Sequence, residues 1–321
     1  MRITNSMMIT RTMRNQNTNL EKKNKWNHDL STLTNLHKPS DDPIRVSRTL
    51  RLESDISMSI QYKDNIESAK SWLEKTESAF NEINSVYQSI RELAVQGANG
   101  ILKNEDTQKI AQEIKELKNH LIQIGNDTYL GRHIFTGYQT DKKLLNDYGS
   151  YNVTDLDFKP INTTVPIGDP AYNEANLSSE VIKYKVGDSQ HIDVNITGDR
   201  VFGALVDPDN KPQLFVDIDN LLTALDKGNH EDASASIAKM DEQLKVLLQV
   251  RGEVGAKVNM IDVMSERMSD VNVNLKDLLS KTRDTDVAET QIQLVTAEAV
   301  YRASLAVTAR IIQPTLVDFL R

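Results

Sequence analysis

Apolar residues recur three and four positions apart over most of the chain, the spacing of one face of an α-helix. The first long stripe reads Ile66, Lys70, Leu73, Thr76, Phe80, Ile83, Tyr87, Ile90 and Ala94. It predicts a helix closed by Gly97-Ala98-Asn99-Gly100, residue types that accept left-handed backbone at a helix end. A second stripe follows as Ile110, Ile114, Leu117, Leu121 and Ile124 and ends at Gly125-Asn126-Asp127. The longest runs from Ile237 through Met240, Leu244, Leu247, Val254, Val258, Ile261 and Met268 to Leu279. A helix over 233–282 would measure about 75 Å at 1.5 Å per residue. Gly252 and Gly255 lie inside it at about 1 kcal/mol each relative to Ala, a cost expected to be offset by close approach of a neighbouring helix.

Between these helices the texture changes. Five of the eight prolines fall in residues 160–212. Ile182 to Val186 and Ile192 to Ile196 each alternate around a turn-like Gly187-Asp188-Ser189-Gln190, which predicts a β-hairpin. The expected fold is mainly α: an elongated rod of long antiparallel helices formed by the N- and C-terminal halves, with a small β-rich domain inserted in the middle. The expected divisions are terminal helices 1–36 with 286–321, a helical rod 37–137 with 214–285, and the inserted domain 138–213.

The two ends differ from the rest. The N-terminal stripe, Ile3, Met7, Met13 and Leu20, is interrupted by repeated asparagine, a weak helix former, so this helix is marginal without a partner. The C-terminal segment is apolar on two sides. One carries Ile292, Val295 and Ala299; the other carries Leu294, Tyr301, Leu305, Ile312, Leu316 and Phe319. Two apolar faces need two sets of neighbours and the N-terminal segment supplies one, so the remainder predicts an interface with other chains. Between the ends and the rod stands KPSDDP. Pro39 disfavours helix at Lys38, so the first helix should stop there. Ser40, Asp41 or Asp42 can cap the next helix, and Pro43 suits its first turn. This predicts an inter-helix elbow of Pro39, Ser40, Asp41, Asp42 and Pro43.

Composition narrows the function. Aromatics make up only 5%, thin for one large core and ordinary for helices that bury narrow stripes. The net charge of -8 argues against a nucleic-acid or anionic-membrane partner. No cysteine is present, which excludes disulfides and thiolate chemistry. The first fifteen residues lack the apolar segment of a cleavable signal, and no run is long and apolar enough for a membrane span. The six histidines are scattered without ligand spacing. Asp207-Pro208-Asp209-Asn210-Lys211 starts like a calcium loop but lacks its glycine and terminal glutamate. There is no phosphate loop and no nucleophile turn. No enzyme activity, metal or cofactor is expected.

Several ordered strings carry a family resemblance. SIRELAVQGANG (89–100) and VRGEVGAKVNMI (250–261) resemble the bacterial flagellin superfamily, and MRIT (1–4) and ARIIQPTLVDFL (309–320) are similar to its hook–filament junction branch. KPSDDPI (38–44) and HIFTGYQT (133–140) are more similar to its hook–filament junction branch, since flagellins usually carry alanine at the position of Pro43. The resemblance implies a structural adaptor subunit, secreted to the extracellular flagellum. The implied partners are the first hook–filament junction protein, flagellin and copies of itself in a ring. It further implies type III export and a cytosolic export chaperone on the C-terminal segment. It implies a tube formed by 1–36 with 286–321. The alternatives are a bulk flagellin, and an enzyme or binding module on a helical frame, to which a middle domain without a catalytic cluster lends little.

Overall fold

The structure is a computed structural model, and it describes residues 5–99, 104–152, 180–203 and 211–312. Seven helices and four short strands follow in order among the described residues: α1 (Asn5–Thr32), α2 (Pro43–Gly97), α3 (Asn104–Gly125), β1 (Thr128–Tyr129), β2 (Arg132–His133), β3 (Lys183–Lys185), β4 (His191–Asp193), α4 (Gly198–Phe202), α5 (Gln213–Asp226), α6 (His230–Arg283) and α7 (Val287–Ile312). The fold is mainly α, with long helices and two small antiparallel hairpins. The chain divides into two compact units, Ser59–Ser269 and a second made of Met1–Met58 with Asp270–Arg321.

The core of the 59–269 unit follows the expected stripes. Ile66, Leu73, Thr76, Phe80, Ile83, Tyr87, Ile90 and Ala94 of α2 are buried, with Ile110, Ile114, Leu121 and Ile124 of α3. One member of the first stripe is corrected. Ala69, not Lys70, is the buried residue, and Lys70 Nζ turns outward to Asp262 Oδ1 at 2.6 Å. From α6, Met240, Leu247, Val254 and Ile261 close the core. Gly252 and Gly255 correct a second expectation, because a Cβ at either would meet nothing within 4 Å. No close helix approach offsets them, so α6 carries two weak points on an open side.

Four phenylalanines thread this core from element to element. Phe80 of α2, Phe135, Phe202 of α4 and Phe215 of α5 are spaced 5.9, 6.2 and 5.6 Å between successive ring centroids. Such edge and offset contacts contribute beyond the area they bury. HIFTGYQT occupies the middle of this chain. Ile134, Phe135 and Thr136 are fully buried, His133 Nδ1 lies 2.8 Å from Asn126 O, and Gly137 turns at φ 65°. The expected hairpin is present, with Lys183 opposite Asp193 and Lys185 opposite His191. Within 138–213 the described residues otherwise form the bridge Leu145–Tyr151 and helix α4. The Asp207-Pro208-Asp209-Asn210 turn lies outside the described residues.

Candidate assembly site

In the unit made of 1–58 and 270–321, α1 packs along α7. The sequence of α7 sets an unusual division between its faces. Thr290 and Thr308 are buried, and Leu294, Ala297, Tyr301 and Ser304 are partly buried between them. These six positions are four and three apart, the period of a two-helix seam, yet half of them carry hydroxyl side chains without a large apolar body. The threonine and serine hydroxyls turn back on their own helix or on each other: Thr308 Oγ1 donates to Ser304 O at 2.7 Å, and Thr285 Oγ1 and Thr290 Oγ1 share a hydrogen at 2.7 Å. Lys23 of α1 reaches Glu298 at 3.4 Å and lies over the Tyr301 ring.

Several apolar residues of α7 stand on the outside. Ile292 is 66% exposed and Val295 56%. Ala299, Val300, Leu305 and Val307 are exposed with them. On α1, Met7 is 63% exposed; Met13 is exposed too, and Leu20 is half-buried. Ile3, Leu316 and Phe319 lie outside the described residues, as does the side chain of Ile312. The seam of α7 is thus half apolar and half hydroxyl, while several of its apolar residues remain on the surface, a distribution that leaves an isolated chain short of cover. Burying an exposed Ile, Val or Met fully yields about 1.5–3 kcal/mol, so this surface favours any assembly that covers it.

The elbow lies beside this pair. The first helix does not continue to Lys38 as expected. It ends at Thr32, because Leu33 takes the left-handed conformation (φ 57°) and Thr34 then forms an antiparallel bridge with Asp284. Asn35 N–H donates to Arg283 O at 2.9 Å, and Thr285 N–H donates to Leu33 O at 3.1 Å. The connections before α2 and after α6 therefore run side by side, joined backbone to backbone.

The two acids of KPSDDP have separate tasks. Pro39 begins a tight turn in which Asp41 N–H donates to Lys38 O at 3.0 Å. Asp41 Oδ2 folds back to accept from Lys38 N at 2.9 Å and His37 N at 3.1 Å. These amides, that of Lys38 foremost, hold its carboxyl below the usual range. Asp42 Oδ1 looks forward and accepts from Ile44 N at 3.1 Å and Arg45 N at 3.0 Å, capping α2 at its electropositive start. Pro43 is the first helical residue, where its missing N–H leaves nothing unpaired. Ser40 is exposed and leaves the cap to Asp42. Asp286 repeats the device for α7, accepting from Ala288 N at 2.9 Å and Glu289 N at 3.1 Å.

Two contacts at this elbow carry no signal in the sequence. Asp29, 1% exposed, meets His37 Nε2 at 2.7 Å, and the His37 ring stands 4.1 Å from that of His28. Arg45 ties the two connections together, with Nη2 donating to Asn35 Oδ1 at 2.9 Å and to Thr282 O at 2.5 Å. Among the described residues no three His, Asp or Glu side chains gather as a metal site, and no helix is long and apolar enough to cross a membrane. The arrangement holds and orients helices.

Comparison with known proteins agrees with that chemistry. The bacterial flagellin N-terminal helical region matches residues 3–140. The chain is 25% identical to flagellar hook-associated protein 3 of Escherichia coli, over 94% of this chain and 96% of the relative. It is 24% identical to hook-associated protein 3 of Salmonella typhimurium, over 95% of each. A flagellin of Halalkalibacterium halodurans is 22% identical over 92% of this chain and 90% of its own length. Among solved structures, a putative flagellar hook-associated protein from Vibrio parahaemolyticus superposes with a TM-score of 0.61, at 24% identity, over 76% of this chain and all of that one. FlgL of Bacillus cereus superposes with a TM-score of 0.54, at 18% identity, over 72% of this chain and 99% of its own. These relatives are structural flagellar proteins, not enzymes.

Proposed function

We propose that this chain, a structural protein of the bacterial flagellum similar to hook-associated protein 3, forms the layer that joins the first hook–filament junction protein to the flagellin filament. Its copies stand in a ring outside the cell at the hook–filament junction. Residues 1–36 and 286–321 form the inner tube, 37–137 with 214–285 the surrounding rod, and 138–213 an inserted domain. The chain leaves the cell through the type III export apparatus, with a cytosolic chaperone on its C-terminal segment until then. Neither nucleic acid nor membrane insertion enters this role.

The observation that carries the reading is the exposed apolar face of α7. A helix with hydroxyls at its seam and Ile292, Val295 and Val307 in water is built for neighbours that the isolated chain lacks. Similarity to hook-associated protein 3 along nearly the whole chain supports the choice of neighbours. Deleting the gene tests it. The expected cells make hooks, lack filaments and release flagellin into the medium; cells with normal filaments would contradict the proposal. A second reading, a bulk flagellin, draws on the flagellin relatives, and is favoured if the chain is abundant along the filament and not scarce per flagellum.

A further inference from the structure

Helix α6 is held from two directions. Arg91 of α2 pairs with Asp241 at 2.5 Å, and Lys70 of α2 pairs with Asp262 at 2.6 Å. The stretch between them is reached from residues 180–203. Arg200 Nη2 of α4 donates to Glu253 Oε2 at 2.6 Å. Lys257 Nζ donates to the carbonyl oxygen of Asp193, the last residue of β4, at 3.1 Å. The charges of Asp193, Arg200 and Glu253 all act on Lys257, so the two tethers form one cluster. Their mounts are anchored in the core. Ile192 and Val194 flank Asp193 and are buried, as are Val201 and Phe202 beside Arg200, and Phe202 stacks on Phe215 at 5.6 Å.

The tethered turn is also where α6 carries its glycines, Gly252 and Gly255. Of residues 251–257, Val254 alone is buried. A Cβ at either glycine would meet nothing within 4 Å, so alanine would fit there and would favour the helix. Glycine instead leaves the backbone free to depart from it, and sharp helix bends concentrate at such residues. Few buried apolar contacts beside an exposed backbone mark a segment that opens locally. The turn is nevertheless helical throughout, with both tethers made.

We propose that residues 251–257 of α6 are a hinge, held closed by the Arg200–Glu253 and Lys257–Asp193 tethers. When both are released, this turn opens and α6 bends at Gly252 and Gly255. A contact that displaces β4 or α4 is thereby relayed to the course of α6. The device belongs to the single chain and is independent of the proposed place in the flagellum.

Hydrogen exchange of the free full-length chain tests it, read by peptide mass spectrometry and corrected for intrinsic rates. Amides of 251–257 are expected to exchange faster than those of 241–248 and 261–268. Arg200→Gln with Lys257→Met cuts both tethers and also removes the alternative Glu253–Lys257 pair, one turn apart on α6. It is expected to speed exchange at 251–257 by about two- to fivefold, the range of partly exposed ion pairs, and to leave the flanking turns unchanged. Gly252→Ala with Gly255→Ala, added to that variant, is expected to slow the same amides by up to about thirtyfold. Exchange that is uniform along 241–268 in the native chain overturns the hinge. So does a rate at 251–257 that cutting the tethers leaves unchanged, or a rise spread evenly over α6. A glycine variant that does not slow these amides overturns it as well.

Discussion

Arg45 and Thr282 are 237 positions apart, yet Nε and Nη2 of the arginine donate to the threonine's carbonyl oxygen at 3.2 and 2.5 Å. That carbonyl belongs to the last turn of α6, where orphan acceptors need donors. Arg45 stands in the first turn of α2, placed by the Asp42 cap. One planar fork therefore closes one helix, touches the start of another and holds Asn35 between them.

Arg45→Ala is expected to lower the stability of the unit made of 1–58 and 270–321 by about 1.5–3 kcal/mol, the range for hydrogen bonds to a charged group. Arg45→Lys recovers only part, because an ammonium lacks the fork. Thermal unfolding followed by circular dichroism checks both. Equal midpoints for all three chains would show that the elbow does not depend on this residue.

Asp217 of α5 gives a pH prediction. It is 1% exposed; Gln213 Nε2 donates to its Oδ1 at 2.8 Å, and its Oδ2 has no partner among the described residues. Burial pushes its carboxyl above the ordinary range, against the weaker opposing pull of the Gln213 bond and Lys239, while Glu242 adds to the rise. Tyr87 of α2, whose hydroxyl burial pushes up, interacts with the same carboxylate. The folded chain binds this proton more tightly than the unfolded one, so the contribution is intact below about pH 4 and lost as pH rises through the folded value. Asp217→Asn is expected to be more stable than the native chain at pH 7, by about 1–3 kcal/mol, and equal to it at pH 3. Denaturant midpoints at the two pH values decide it; a difference that does not change with pH contradicts the assignment.

Gly137 is held at φ 65° directly against Glu180. The carboxylate of Glu180 accepts from Tyr138 N at 2.8 Å, so an added Cβ must displace a buried acid and strain the backbone at once. Gly137→Ala is expected to cost about 2–4 kcal/mol, combining left-handed strain with a lost charge-assisted bond. Tyr138→Phe removes only the exposed bond of its hydroxyl to Val181 O and should cost under about 1 kcal/mol. Equal destabilisation by the two would place the effect elsewhere.

The helical stripes were legible because each long helix buries one face and the burial writes a period into the sequence. The period has a tolerance of one residue, which is how Lys70 stood in for Ala69. The end of α1 was not legible: Pro39 is visible punctuation, whereas nothing about leucine announces the left-handed turn at Leu33 that ends the helix earlier. The cap was legible in kind, but three candidates, Ser40, Asp41 and Asp42, could not be separated without the direction of each carboxylate. Helix α4, at five residues, is too short to show a period. The two faces of α7 could be read from composition. Which face turns inward could not, since the inward one mixes Leu294 and Tyr301 with Thr290, Ser304 and Thr308, while the face with Ile292, Val295 and Ala299 is left outside.

That outer face is where the account is most exposed to test. Ile292→Cys in this cysteine-free chain places one thiol on it. Labelling by a bulky maleimide, compared between the free chain and isolated flagella, reads its accessibility. Rapid labelling of the free chain and protection of at least tenfold in flagella are predicted; equal labelling in both would contradict burial of the α7 face in the assembled flagellum.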